Sequence, residues 1–118
     1  MNKFRNEKLV KLGDAEILLR PSFKKIAQTE FKLGSIAGIA IQVSSDDKAK
    51  SQFPISMMAE IFFINQVEEK YSLDQIFDLV LEEGYQSCRA QVLEFLVLIT
   101  AGRKVNEQLQ QEQQEKKV

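Results

Sequence analysis

The sequence predicts an α+β fold, predominantly α-helical, in which an N-terminal two-stranded β-hairpin is followed by four to five helices. Three observations predict it. Two short strand-like runs, Leu9-Val10-Lys11-Leu12 and Ala15-Glu16-Ile17-Leu18-Leu19, flank the pair Gly13-Asp14. Downstream, apolar residues recur mostly at helical rather than alternating spacing. Serine caps and closing glycines punctuate those segments, as in Ser22 with Gly34 and Ser72 with Gly84.

The elements follow in order. Gly13 at the first central position of a two-residue turn accepts the positive φ of a type II′ hairpin. Arg20-Pro21-Ser22 ends the second strand, because Pro has no N–H to donate and holds the residue before it extended. Ser22 caps a helix carrying Phe23, Ile26, Ala27 and Phe31, and Gly34 closes it as a left-handed residue. Over residues 36–43 the run is short and apolar. Ser35 as a cap favours a helix there, while Ile36, Ile39, Ile41 and Val43 favour a strand. Residues 44–52 are polar and read as an exposed loop.

Pro54 suits the first turn of the next helix, which is expected to run through Met57, Met58, Ile61, Phe62, Ile64 and Val67. Its broad apolar face places it centrally in the core. Ser72 and Gln75 have the capping-box spacing, and the helix they open sets Leu73, Ile76, Phe77, Val80 and Leu81 on one side. The last helix starts near Tyr85 and carries Cys88, Val92, Leu93, Phe95, Leu96 and Ile99. Gly102 weakens it by about 1 kcal/mol relative to Ala. These segments form one domain over residues 1–105. Residues 106–118 are a polar tail rich in Gln, Glu and Lys, either a helical extension or disordered, because Leu109 is the one large apolar residue before the final Val118.

Composition narrows the function classes. Sixteen Lys and Arg against 17 Asp and Glu give a net charge of −1, so no global field attracts nucleic acid or an anionic membrane. Lys24-Lys25 and Arg103-Lys104 read as solvated helix faces. The N-terminal residues lack an apolar signal-peptide core and no apolar run is long enough to span a bilayer, so the expected compartment is cytoplasmic. Cys88 is the one cysteine and reads as a small apolar residue of the core or its boundary.

The chain contains no histidine, the commonest neutral-pH base and metal ligand. Nucleotide-binding glycine loops and the G-x-S-x-G elbow are absent too. Asp46-Asp47 reads as a solvated turn, and Glu68-Glu69 and Glu82-Glu83 stand near helix ends without a second chemical group. The expectation is a non-enzymatic protein with no metal and no cofactor. Phe62 and Phe63, being adjacent, point about 100° apart on a helix. One reading has both flank a wide buried face. The other places Phe63, with Met57 or Met58, in an exposed groove that receives a partner segment, since Met suits adaptable apolar surfaces. Met57, Met58, Phe62 and Phe63 are therefore the candidate protein-binding residues. Tyr85 reads as a packing residue at a helix start with its hydroxyl in water.

Read together, several segments resemble a family of small phage-tail proteins. They are the Asn- and Arg-containing leader Asn2-Lys3-Phe4-Arg5-Asn6-Glu7, and the hairpin with its Leu-Arg-Pro-Ser exit, Gly13-Asp14 through Leu19-Arg20-Pro21-Ser22-Phe23. The helix end Gln28-Thr29-Glu30-Phe31-Lys32-Leu33-Gly34 follows. Tyr71-Ser72-Leu73-Asp74-Gln75-Ile76 then leads to Glu83-Gly84-Tyr85. The family is named for the gene transfer agent tail protein encoded just before the tape measure, and it is grouped with the tail assembly chaperones. The resemblance covers roughly residues 2–104. It departs after Gly34, where the family has more Leu and Ala, and it is silent on the Gln-rich tail.

The resemblance implies a chaperone that binds the tape measure protein during tail morphogenesis in the host cytoplasm, with the major tail tube protein as a further partner. It also leaves open a structural place in the tail tube. A small helical regulatory or interaction domain is the remaining alternative. A homo-oligomer is expected, because a chaperone that coats a long partner works in multiple copies.

Overall fold

A computed structural model describes residues 7–44 and 53–101 of the chain. An antiparallel hairpin, β1 (Lys8–Leu12) and β2 (Ala15–Leu19), leads into five helices: α1 (Phe23–Leu33), α2 (Ile36–Ser44), α3 (Ile55–Asn65), α4 (Leu73–Glu83) and α5 (Tyr85–Thr100). The expected loop around 44–52, apart from Ser44, and the tail at 106–118 lie outside the described residues.

The hairpin pairs Lys8 with Leu19 at one end and Leu12 with Ala15 at the other, so Gly13-Asp14 is a two-residue loop. Gly13 has φ 60° and Asp14 does not have positive φ, as a type II′ turn requires. Alternation sets Val10, Leu12, Ile17 and Leu19 into the core and leaves Leu9 and Leu18 outside. Each edge of this small sheet meets a hydrogen-bond partner from elsewhere in the chain. The Gln91 side chain of α5 accepts from the Lys11 N–H (2.7 Å) and donates to its carbonyl (2.9 Å), standing in for a missing strand. On the other side, Val67 N–H donates to the Leu18 carbonyl (2.8 Å) and Arg20 N–H to that of Asn65 (3.1 Å).

The helices begin and end where the caps demand. Ser22 accepts from Lys25 N–H at 3.3 Å, and Ser35 from Gly38 N–H at 3.0 Å, which decides residues 36–44 as helix rather than strand. Glu30 of α1 adds a second bond to that helix start, accepting from Ile36 N–H at 2.9 Å. Both halves of the Ser72–Gln75 capping box are present. Gly34 and Gly84 have φ of 105° and 103°, but their ψ values of 178° and 151° are extended rather than left-handed helical. Gly84 serves two helices at once. Its N–H donates to the Val80 carbonyl of α4 and its carbonyl accepts from Cys88 N–H of α5.

Two boundaries differ from expectation. Pro54 caps α3 from outside, with φ −64° and ψ 136°, rather than forming its first turn. The same helix stops at Asn65, so Val67 is not helical; Gln66 instead forms a bridge with Leu19 of β2. The sheet edge needs a partner there, and that tertiary bond outweighs continuation of the helix.

Helix α3 lies at the centre, burying Met58, Ala59, Ile61, Phe62 and Asn65 and packing against α1, α4, α5 and β2. Helix α5 contributes Cys88, Val92, Phe95 and Leu96. Cys88 is sealed in this core, and desolvation, with help from the nearby Glu83 charge, pushes its thiol up to about 11. Tyr85 differs from expectation as well. Its hydroxyl accepts from the Phe53 N–H (3.0 Å) and donates to the Phe53 carbonyl (2.9 Å), tying the start of α5 to the residue before Pro54.

The hairpin turn is pinned to the α4–α5 junction. Glu83 accepts from Gly13 N–H at 2.8 Å and from the Ser87 hydroxyl. The Ser87 hydroxyl and the Gly13 N–H hold its carboxyl below the ordinary carboxylate range. A folded-state value below the unfolded one means that the bonds stabilise the fold above the ordinary pKa of 4.5, and that this is lost as pH falls through the folded value. The Glu83→Gln variant is therefore expected to be less stable than wild type at pH 7, with the gap closing on acidification. Urea unfolding midpoints across the acid range check this; a gap that widens towards low pH contradicts it.

Candidate docking groove

Among the described residues, the most exposed aromatic side chains belong to α1. Phe23 and Phe31 are 92% and 96% exposed, and Ala27 lies exposed midway between them. Spacing of four residues puts all three in one row along the helix, about 12 Å from end to end. The opposite side of α1 is what meets the core. There Thr29 is fully buried and Ile26 and Leu33 are half-buried.

A polar contact, not the phenylalanines, seats the helix. Asn65 of α3 donates to the Thr29 hydroxyl at 3.1 Å, and that hydroxyl donates to the Lys25 carbonyl at 2.8 Å. Once Thr29 is fixed inwards, helical geometry turns Phe23, Ala27 and Phe31 outwards. The apolar residues of α1 thus form two rows on different faces, of which the core takes one.

Between this outer row and the end of α3 lies an open groove of about 1340 Å³, with Phe63, Ile64 and Tyr71 among its lining residues. Its floor is held by Gln66, whose side-chain amide donates to the Tyr71 carbonyl (2.9 Å) and accepts from the Tyr71 N–H (3.3 Å). The Lys25 ammonium donates to the Gln66 backbone carbonyl. The connection from α3 to α4 is therefore tied to both α1 and the hairpin. Lys24, Lys32 and Lys70 border the apolar surface, with Glu69 the one acidic residue among the lining side chains. Lys32 is paired with Glu60 at 3.1 Å, and the Lys70 ammonium stands 5.6 Å from the Tyr71 ring centre.

The four residues singled out in the sequence separate here. Met58 and Phe62 are fully buried and cannot meet a partner, so their assignment to a binding surface is corrected. Met57 is half-buried and packs on the core. Phe63 is 38% exposed and lines the groove. A wide buried face on α3 takes three of the four because the helix is enclosed by neighbours on most sides. The sequence reading placed Lys24 on a solvated face but missed Phe23 and Phe31 as surface. Their signal was present: Phe23, Ala27 and Phe31 run parallel to Lys24, Gln28 and Lys32 one residue on.

A second apolar row is exposed on α4. Ile76 and Val80 face the core, but Phe77 is 37% and Leu81 54% exposed, so the expected single face is split. Among the described residues, no group of three or more Cys, Asp or Glu side chains is placed to hold a metal ion, and no helix is long and apolar enough to cross a membrane. Glu68 and Glu69 are exposed, and Glu83 is occupied with the hairpin turn. Comparison with protein-family models, curated proteins and solved structures gives no significant match to this chain.

Proposed function

We propose that this chain is a non-enzymatic tail assembly chaperone of a phage, prophage or gene transfer agent. It binds the tape measure protein in the host cytoplasm and keeps it soluble while the tail tube protein assembles around it. The observation that carries this reading is a well-packed domain that nevertheless leaves rows of large apolar side chains on its surface, Phe23 and Phe31 foremost. Exposed apolar rows of this kind mark surfaces for other polypeptides. The order of hairpin, Arg-Pro-Ser exit, capped helix and Glu-Gly-Tyr junction supports the same reading through the family it resembles. A tube subunit polymerises through strand edges, whereas each edge of this hairpin is already hydrogen-bonded in part within the chain, at Lys11 of β1 and at Leu18 of β2.

Co-expression with the tape measure protein of the same genome tests the proposal. The soluble fraction of that protein should rise and the two chains should co-purify. Unchanged solubility, or stoichiometric presence of this chain in finished particles by mass spectrometry, argues against a chaperone.

A further inference from the structure

Helices α1 and α4 carry the same surface pattern with opposite charge. On α1 the row Phe23, Ala27, Phe31 is flanked, one residue on, by Lys24, Gln28 and Lys32, all exposed. On α4 the row runs through Phe77 and Leu81, both exposed, and begins at Leu73, which is half-buried against the core; one residue on it is flanked by Asp74, Asp78 and Glu82, all exposed. Both helices are 11 residues long. We infer that copies of this chain associate head to tail, the α4 row of one copy docking antiparallel in the α1 groove of the next.

The orientation follows from handedness. Each charged row is rotated in the same sense from its apolar row, so the two charged rows fall on the same side of an interface only when the helices run in opposite directions. Antiparallel alignment sets Phe77 against the small Ala27, with Leu81 beside Phe23 and Leu73 beside Phe31. Large meets small at the centre of the contact. Lys24 then lies between Asp78 and Glu82, and Lys32 beside Asp74. Pairing a groove with a groove would instead confront lysines with lysines, and pairing α4 with α4 would confront carboxylates. Like charges disfavour both symmetric arrangements. A net charge of −1 leaves little overall repulsion between copies. Because donor and acceptor faces differ, the contact is heterologous and repeats into rings or open chains. It depends on these two faces alone and stands whether or not the partner protein is a tape measure.

Charge reversal tests it on the full chain, without any partner. Wild type is expected to self-associate in a concentration-dependent way by light scattering, more weakly at high salt. The K24E/K32E variant and the D74K/D78K variant should each weaken this by about tenfold or more, because each sets like charges across the contact. Mixing them should restore association, since the first keeps an intact α4 row and the second an intact groove. Circular dichroism verifies folding of each variant. If D74K/D78K does not fold, L81R replaces it and leaves the charges at the start of α4 untouched. A wild type that stays monomeric, or a mixture that fails to associate, overturns the inference.

Discussion

Replacing Phe62 with alanine is expected to destabilise the fold by about 3–5 kcal/mol, the largest single effect among these substitutions. Phe62 is fully buried on α3, the helix that touches α1, α4, α5 and β2. Removing its ring takes away the transfer energy of a large apolar group and leaves a void that close-packed neighbours fill only in part. Phe63→Ala is the internal control. That ring is 38% exposed in the groove, so its removal should cost a clearly smaller amount. Urea unfolding followed by circular dichroism compares the two, with the slope unchanged and only the midpoint shifted. Equal losses at the two positions would mean that α3 does not occupy the centre of the core.

Gly84→Ala is expected to cost about 1–3 kcal/mol, through backbone strain alone. At φ 103° and ψ 151°, Gly84 occupies a region that an L side chain reaches only at a steric penalty. Open space surrounds the position a Cβ would take, with no atom within 4 Å, so collision with neighbours does not contribute. The consequence is larger than for an ordinary loop residue because Gly84 ends α4 and begins α5, with no residue between to absorb a change in angle. The Ser87–Glu83–Gly13 bonds that anchor the hairpin lie beside this junction. Thermal unfolding of the variant should therefore show a lowered midpoint together with increased amide exchange at Gly13. A variant as stable as wild type would show that the junction tolerates another backbone path.

Local chemistry made most of the architecture legible. The Gly13-Asp14 turn, the caps at Ser22, Ser35 and Ser72, and the stops at Gly34 and Gly84 are each set by a few neighbouring residues, and the structure contains all of them. The failures come where a distant group competes with a local preference. Val67 was expected to extend α3, but the hairpin edge offered its backbone a better hydrogen-bond partner. Tyr85 was expected to leave its hydroxyl in water, but Phe53, 32 residues away, brings an N–H and a carbonyl to it.

The candidate site was the least legible part. In α1, Phe23, Ile26, Ala27 and Phe31 look like a single apolar face when counted along the chain. Which of them points inwards is settled by the Thr29–Asn65 bond, and nothing near Thr29 in sequence announces Asn65. In α3 the converse holds, since almost every position is apolar and sequence offers no way to choose between Phe62 and Phe63.

Taken by itself, the amino-acid order determined the kinds of element, their punctuation and the absence of histidine chemistry, because turns, caps and composition act over a few residues at most. Tertiary structure alone decided which apolar rows are sealed and which stand open beside the lysines of α1 and the carboxylates of α4. A helix presents its side chains in all directions, and only the placement of its neighbours selects the side that loses contact with water.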